Sequence, residues 1–259
     1  DLDRGWHAQL FAGYGNLLRG DLGQSFLLNR SVTQAIIERL PVTLSLTLLA
    51  LTIALVLGVT AGVFAAVHHG TWVDQSVMAL ALAGLSMPDF WLGLVGIYVF
   101  AVALGWLPSG GFVPITQDLF GWARSMALPA LTLGLTQMGQ IARITRSSML
   151  EVLSQDYVRT ARAKGVPAFK VIGKHALANA LIPVITVTGV IVGVLLGGAI
   201  VVEQVFSLPG VGRLIIGAVL RRDYPVIQAS VLLLTVLFIV INLLTDLLYA
   251  VIDPRIRYT

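Results

Sequence analysis

The chain has no cysteine, which excludes disulfides, thiolate metal sites and a cysteine nucleophile. Charge is scarce as well. Only 12% of residues are Asp, Glu, Lys or Arg, about half the share found in soluble domains. No Walker A phosphate loop occurs: its nearest approach, Gly173-Lys174, is followed by His175 and has Ala168 where the first glycine belongs. That excludes ATP hydrolysis by this route, so the chain reads as a non-enzyme with no catalytic residue. The histidines lack the His-Glu-x-x-His spacing of a zinc helix. His68 and His69 are adjacent at a helix end and His175 lies in a basic loop, so they read as interfacial and no metal site is assigned. Nor does the chain open on the basic start, apolar run and cleavage site of a secretory signal; it begins Asp1-Leu2-Asp3.

What the sequence does have is apolar length. Hydrophobic residues make up 57% of it and the mean hydropathy is +0.88, so most of the surface must face something other than water. Five stretches read as membrane helices. Val42 to Val67 is uncharged and would reach about 39 Å as a helix, enough for a hydrocarbon core of about 30 Å with tilt. Ser76 to Leu104 is interrupted at Met87-Pro88-Asp89. Met126 to Ala142 is the weakest, carrying Gln137 and Gln140. Ala176 to Val202 is uncharged, and Tyr224 to Ile252 holds one acid, Asp246. The expected fold is all-α, a polytopic transmembrane bundle over residues 41–259. Before it, residues 1–40 form a polar segment on the membrane surface. Gly20 and Gly23 are its turn formers, and "SVTQAIIERL" reads as a short amphipathic helix with Ser31 and Gln34 in a capping box.

Orientation rests on the excess of Lys and Arg in cytoplasmic loops. The loop Arg143 to Lys174 carries seven of them, while its neighbour across the membrane, Trp106 to Ser125, has only Arg124. That places the basic loop and the C-terminus in the cytoplasm. Over the whole chain the bias is thin, nine basic residues on that side against eight on the other. Five spans then put Asp1 outside, and the expectation is a further helix ahead of it, six in all. The net charge of +4 reads as topology and not as nucleic-acid binding.

The same loop is the most informative segment. Residues 149–175 are too long for a simple connection and too basic for the bilayer. Met149 to Leu153 continues the preceding helix. Ser154 or Asp156 can cap a short helix from Tyr157 to Lys164, Gly165 ends it, and Pro167 suits the first turn of the next. A short rigid helix of this kind can dock into a partner and transmit force; a solvated basic loop that only sets topology is the plainer alternative.

"DYVRTARAKG" resembles the coupling-helix motif of the permease subunits of bacterial ABC importers, in the dipeptide, oligopeptide and nickel group. The general motif is Glu-Ala-Ala, three residues, Gly, nine residues, Ile-x-Leu-Pro. Here Arg159-Thr160-Ala161 and Gly165 take the first positions, and His175-Ala176-Leu177-Ala178 stands where Ile-x-Leu-Pro would be, a variant typical of that group. "LLRGDLGQS", "SMPDFWLG", "EQVFSLPGVGRL", "RRDYPVIQ" and "DLLYAVIDPRIR" resemble the group's first permease subunit in the same order. The resemblance implies a type I importer permease in the bacterial inner membrane. It implies that Tyr157 to Gly165, with Asp156 ahead of it, docks on an ATPase subunit through Asp156, Tyr157, Arg159, Thr160, Ala161, Arg162, Ala163, Lys164 and Gly165. The partners it implies are a second permease subunit, two ATPase subunits that hold ATP and Mg, an extracytoplasmic substrate-binding protein and membrane lipid. This chain would carry no cofactor of its own. Cargo would be peptides or a related small solute such as a nickel chelate or a glutathione-like molecule.

Ionisable residues inside spans are functional candidates. Asp246 has Asn242 one turn before it and is either a buried structural acid or part of the path. Asp89 follows Pro88, where a kink frees backbone groups. Glu203 precedes "FSLPGVG", whose glycines and proline suggest a re-entrant turn acting as a gate or a receptor-docking element. Gln137, Gln140 and Asn242 join the pathway candidates on polarity alone. Gly189, Gly193 and Gly197 recur every fourth residue, a small-xxx-small pattern for close helix packing or for a sliding surface. Two rival functions stay in view: an ion-coupled secondary transporter, for which no convincing internal repeat is visible, and a non-transporting membrane scaffold.

Overall fold

The computed structural model describes residues 20–25 and 27–252, together with His7 and Gly15; the side chains of Asp246 and of residues 248–252 lie outside the description. The surface segment begins with turns at Gly20 and Gly23, where φ is +76° and +90°. It then forms a small hairpin, β1 (Gln24–Ser25) against β2 (Arg30–Ser31), antiparallel with Gln24 opposite Ser31. Strands of two residues are too short to show alternation and carry no signal in the sequence. Helix α1 (Val32–Ile37) follows. Ser31 stands at its N-cap as expected, but its side chain makes no capping bond, so the capping box does not form.

The bundle consists of α2 (Leu40–Val67), α3 (Trp72–Ser86), α4 (Asp89–Gly96), α5 (Leu119–Leu153), α6 (Asp156–Ala163), α7 (Ala168–Lys170), α8 (Leu177–Val205), α9 (Val211–Arg221) and α10 (Tyr224–Ile252). π-helical turns extend α4 through Ile97–Ala103 and join α7 to α8 through Val171–Ala176. Among the described residues, three helical runs are long and apolar enough to cross a membrane: Val32–Val67, Ala168–Val205 and Tyr224–Thr245. The stretch expected as one interrupted span, Ser76 to Leu104, is instead α3 and the α4 run, bent by 104° at the break. Pro88 sits at ψ 137°, an extended geometry that no helix can carry through.

Helix α5 is longer than the expected Met126 to Ala142, and it takes in Arg143 and Arg146, which the sequence had placed in a loop. It is the most polar of the long helices and also the most enclosed. Met126, Leu133, Ile141, Ala142 and Met149 are each at most 1% exposed. A helix walled by protein needs less hydropathy than one facing lipid, which is why Gln137 and several threonines are tolerated there. Two of the buried threonines in α2 and α5 donate to carbonyls one turn back, Thr47 to Thr43 and Thr132 to Leu128, both at 2.8 Å.

Close approach holds α2 against α5. A Cβ placed on Gly62 would stand 2.6 Å from the Ala142 carbonyl oxygen and 2.6 Å from Thr145 Cβ. Of the three glycines picked out by spacing, Gly189 packs against Asn242 and Thr245 of α10, and a Cβ on Gly193 would meet the Phe238 ring at 2.3 Å. Gly197 has nothing within 4 Å. Helix packing therefore accounts for two of the three. Gly62→Val is expected to lower the stability of the purified protein by about 1–3 kcal/mol through overpacking. Gly217→Ala, where nothing lies within 4 Å, is expected to leave it unchanged or slightly raised. Thermal denaturation in detergent followed by tryptophan fluorescence checks both.

Candidate functional site

Helix α5 leaves the bundle at Leu153 and the chain turns at once into α6. The cap is Gln155, with extended backbone and no side-chain bond, so neither Ser154 nor Asp156 caps as expected; Ser154 Oγ donates back to the Glu151 carbonyl at 2.7 Å. The stop is as the sequence reading had it. Gly165 has φ +77°, its N–H bonds the Arg162 carbonyl at 2.9 Å, and Val166 N–H bonds the Ala161 carbonyl at 3.2 Å. This pair of bonds is a Schellman closure, which needs a left-handed residue at the glycine. Pro167 caps α7 from outside, one residue ahead of the first turn expected for it.

One face of α6 is fastened and the other is free. Val158 is fully buried, and Ala161 is half-buried. Tyr157 OH donates to the His175 carbonyl at 3.2 Å and accepts from Asn179 Nδ2 at 2.8 Å, tying the helix to the start of α8. Asp156, Arg159, Thr160, Arg162, Ala163, Lys164 and Gly165 are exposed. Arg159 and Asp156 approach to 3.6 Å with side chains 73% and 97% exposed, a pair worth little in water. Phe169 is 71% exposed just beyond the stop. Of the nine residues expected for docking, Tyr157 and Ala161 belong to the fastened face, and Val158 and Asn179, which help to hold the helix down, were not singled out.

A second cluster lies at the same end and had no local signal. Asp74, in the first turn of α3, is 3% exposed. Arg146 of α5 meets it with both donors of its fork, Nε to Oδ1 and Nη2 to Oδ2, each at 2.6 Å. Gly70 N–H adds a bond to Oδ2 at 3.1 Å. His69 Nδ1 lies 3.1 Å from Arg146 Nη2 and 3.3 Å from Asp74 Oδ2. The cluster fixes the start of the bent pair α3–α4 to the helix that runs into α6.

At the far end of α8, Glu203 is fully buried. Thr43 Oγ1 of α2 donates to its Oε1 at 2.5 Å, and Arg213 N–H donates to Oε2 at 3.0 Å. Val211 N–H in turn bonds Thr43 Oγ1 at 2.9 Å. The carboxylate therefore sits under the N-terminus of α9, where unpaired N–H groups and the helix dipole favour an anion. A Cβ on Gly210 would stand 2.1 Å from that carboxylate, so the glycine is what admits it. The expected turn is present, with Ser207 at φ 54° and Phe206 and Leu208 buried.

The other pathway candidates are scattered. Asp89 opens α4 half-buried, its carboxylate 2.9 Å from where a Cβ of Gly198 would be. Gln137 is buried in α5 and Gln140 half-buried. Asn242 Nδ2 donates to its own helix at Phe238 O, 2.9 Å. Asp246 is in α10, but its side chain lies outside the described residues. An apolar groove of about 550 Å³ between α8 and α10, floored by Gly193 and Gly197, is lined by none of them. Among the described side chains these candidates stand on four helices, Asp89 on α4, Gln137 and Gln140 on α5, Glu203 on α8 and Asn242 on α10.

Residues 58–258 match the family of binding-protein-dependent transport system inner membrane components. The chain is 52% identical over 257 residues to a peptide transport system permease protein of Brucella abortus (strain 2308), covering 99% of this chain and 82% of that protein. It is 43% identical to the di/tripeptide transport system permease protein DppB of Pseudomonas aeruginosa (strain UCBPP-PA14), covering 99% and 82%. It is 47% identical to the glutathione transport system permease protein GsiC of Salmonella paratyphi A, covering 99% and 81%. Among solved structures, the MetNI methionine ABC transporter in an inward-facing conformation aligns with a TM-score of 0.68 at 20% identity, over 84% of this chain and 95% of that one. That likeness concerns the fold.

Breaking a buried ion pair from one side leaves the partner uncompensated, at about 3 kcal/mol. Asp74→Asn and Arg146→Gln are each expected to cost about that much stability, and the double variant much less than their sum. A double-mutant cycle by denaturation of the purified protein checks this; additive losses would mean the two side chains do not depend on each other.

Proposed function

Because the chain belongs to the family of binding-protein-dependent transport system inner membrane components, we propose that it works as one permease of an ATP-driven importer whose cargo is a peptide or a peptide-like solute such as glutathione. The observation that carries this is the one-sided packing of α6. Val158 and Tyr157 fix the helix to the bundle while its charged face stays exposed. Such a helix suits a groove on an ATPase subunit. Seven of the nine residues expected for docking face outward, Asp156, Arg159, Thr160, Arg162, Ala163, Lys164 and Gly165, whereas Tyr157 is tied to α8 and Ala161 is half-buried.

In this reading ATP and Mg reside on two ATPase subunits, a second permease completes the path, and an extracytoplasmic binding protein delivers cargo. Helix α6 faces the cytoplasm. From there α8 and α10 cross the bilayer twice, so the end of α10 returns to the same side. Closure of the ATPases would press on α6, and the Asp74–Arg146 pair would carry that movement from α5 to α3 and the bend at Pro88. The peptide assignment rests on relatives named for peptide and glutathione transport at 43–52% identity. Family membership favours the ATP-driven reading over an ion-coupled transporter, and in it the break at Pro88 serves as a hinge in the bundle.

Nothing lies within 4 Å of a Cβ on Gly165, so a substitution there acts through backbone conformation alone. A β-branched residue in the left-handed region costs roughly 1–2 kcal/mol, enough to shift the closed end of α6 by about tenfold in population. Gly165→Val is expected to reduce cargo-stimulated ATPase activity of the reconstituted importer by about that factor while the subunits still co-purify. Gly165→Asn, which tolerates the conformation, is expected to keep most of it. Normal stimulation in Gly165→Val would remove α6 as the coupling element.

A further inference from the structure

The basic residues that weaken the charge-bias argument are not spread over the far end of the molecule. Three of them, Arg39, Arg213 and Arg221, line one cavity of about 250 Å³ between the hairpin, α9 and the start of α10. It lies where α8 ends, at the opposite end of that 29-residue helix from α6. Its walls include Leu28 and Pro209, and Asp223 reaches its edge.

No carboxylate lies within salt-bridge distance of any of the three arginines among the described residues, whereas neighbouring Arg30 is paired with Glu38 at 2.8 Å. Arg39 Nη1 donates to the Ala35 carbonyl at 2.8 Å and Arg213 Nη1 to the Ser207 carbonyl at 2.9 Å. Each guanidinium is thus held in place by one N–H with the rest of its fork unused. Asp223 is 4% exposed; Ser25 Oγ donates to its Oδ2, and its Oδ1 has no partner. That single acid leaves the lining with an excess of two positive charges. Arg39 is repelled by Arg30 and Arg213, with Glu38 offsetting part of that repulsion. A fold keeps such a group where an anion arrives to relieve it.

The geometry points to a carboxylate-binding pocket at the outer mouth, filled by an acidic side chain of the protein that docks on that face. Planar guanidinium forks match a carboxylate with paired hydrogen bonds. A volume of about eight waters admits one side chain and little more. The inference rests on the importer reading, which makes this end extracytoplasmic and the docking protein the substrate-binding protein. It adds the residues that hold that protein and the chemistry they select, acid on the binding protein against arginine on the permease.

The test uses the assembled importer in nanodiscs and the cognate binding protein as the probe, with affinity measured over a series of salt concentrations. Arg213 and Arg221 are exposed, so Arg213→Gln with Arg221→Gln leaves the core intact. This double variant is expected to bind about tenfold more weakly and with a flatter salt dependence. Arg213→Lys with Arg221→Lys is expected to retain most of the salt dependence. Arg222→Gln, exposed but outside the cavity, is expected to bind as the parent does. The effect should be the same in nanodiscs of phosphatidylcholine and in nanodiscs containing phosphatidylglycerol. Unchanged affinity in the Gln double variant overturns the inference while leaving the importer reading intact. An effect confined to phosphatidylglycerol nanodiscs also overturns it, because the arginines would then be holding lipid phosphate. Absence of any binding to the parent importer overturns both.

Discussion

A carboxylate as buried as that of Asp74 is stable only if a cation comes to it, and Arg146 does so with two short bonds from a helix 72 residues away in sequence. That pairing sets the relation of α3 to α5, and much of the architecture follows. The α3–α4 pair bends at Pro88 beyond the fixed end. Helix α5 passes the same point on its way to α6. One helix and one ion pair therefore connect α6 to the bend. Gly84 and Gly139 at the α3–α5 contact let those two helices lie close enough for this to be a packed joint.

The parts legible in the sequence were those with local signals. Apolar runs with at most one charge located α2, α8 and α10, and their ends fall within a few residues of the expected ones. Gly165 and Pro167 marked the stop of α6 and the start of the next helix, because left-handed backbone and a missing N–H restrict which residues can stand there. Pro88 marked the break in the second span but not its 104° angle, which depends on what each half packs against. The capping expectations at Ser31, Ser154 and Asp156 failed for a common reason: a cap side chain is used only when the approaching backbone leaves it facing the helix end, and sequence does not fix that approach.

The candidate site was legible only in half. Charged and polar residues on the free face of α6 were visible as a motif, but the residues that fasten it, Val158 and Asn179, look like ordinary helix positions. Arg146 was counted as a loop charge and His69 as an interfacial ring, since nothing nearby in sequence reveals a partner so far along the chain. Glu203 was singled out as a rare acid in a span. Its position under α9 could be found only from the fold, although the glycines at 210 and 212 were a sign that something must come close to the backbone there.

The burial of Glu203 has a mechanical consequence. Three elements, α2 through Thr43, α8 through Glu203 itself and α9 through its first N–H groups, meet on a single carboxylate. Pulling α9 away would leave that side chain buried without its partners, so the three elements hold together as one block. The first joint beyond that block along the chain is the left-handed turn at Arg222, where α9 hands over to α10.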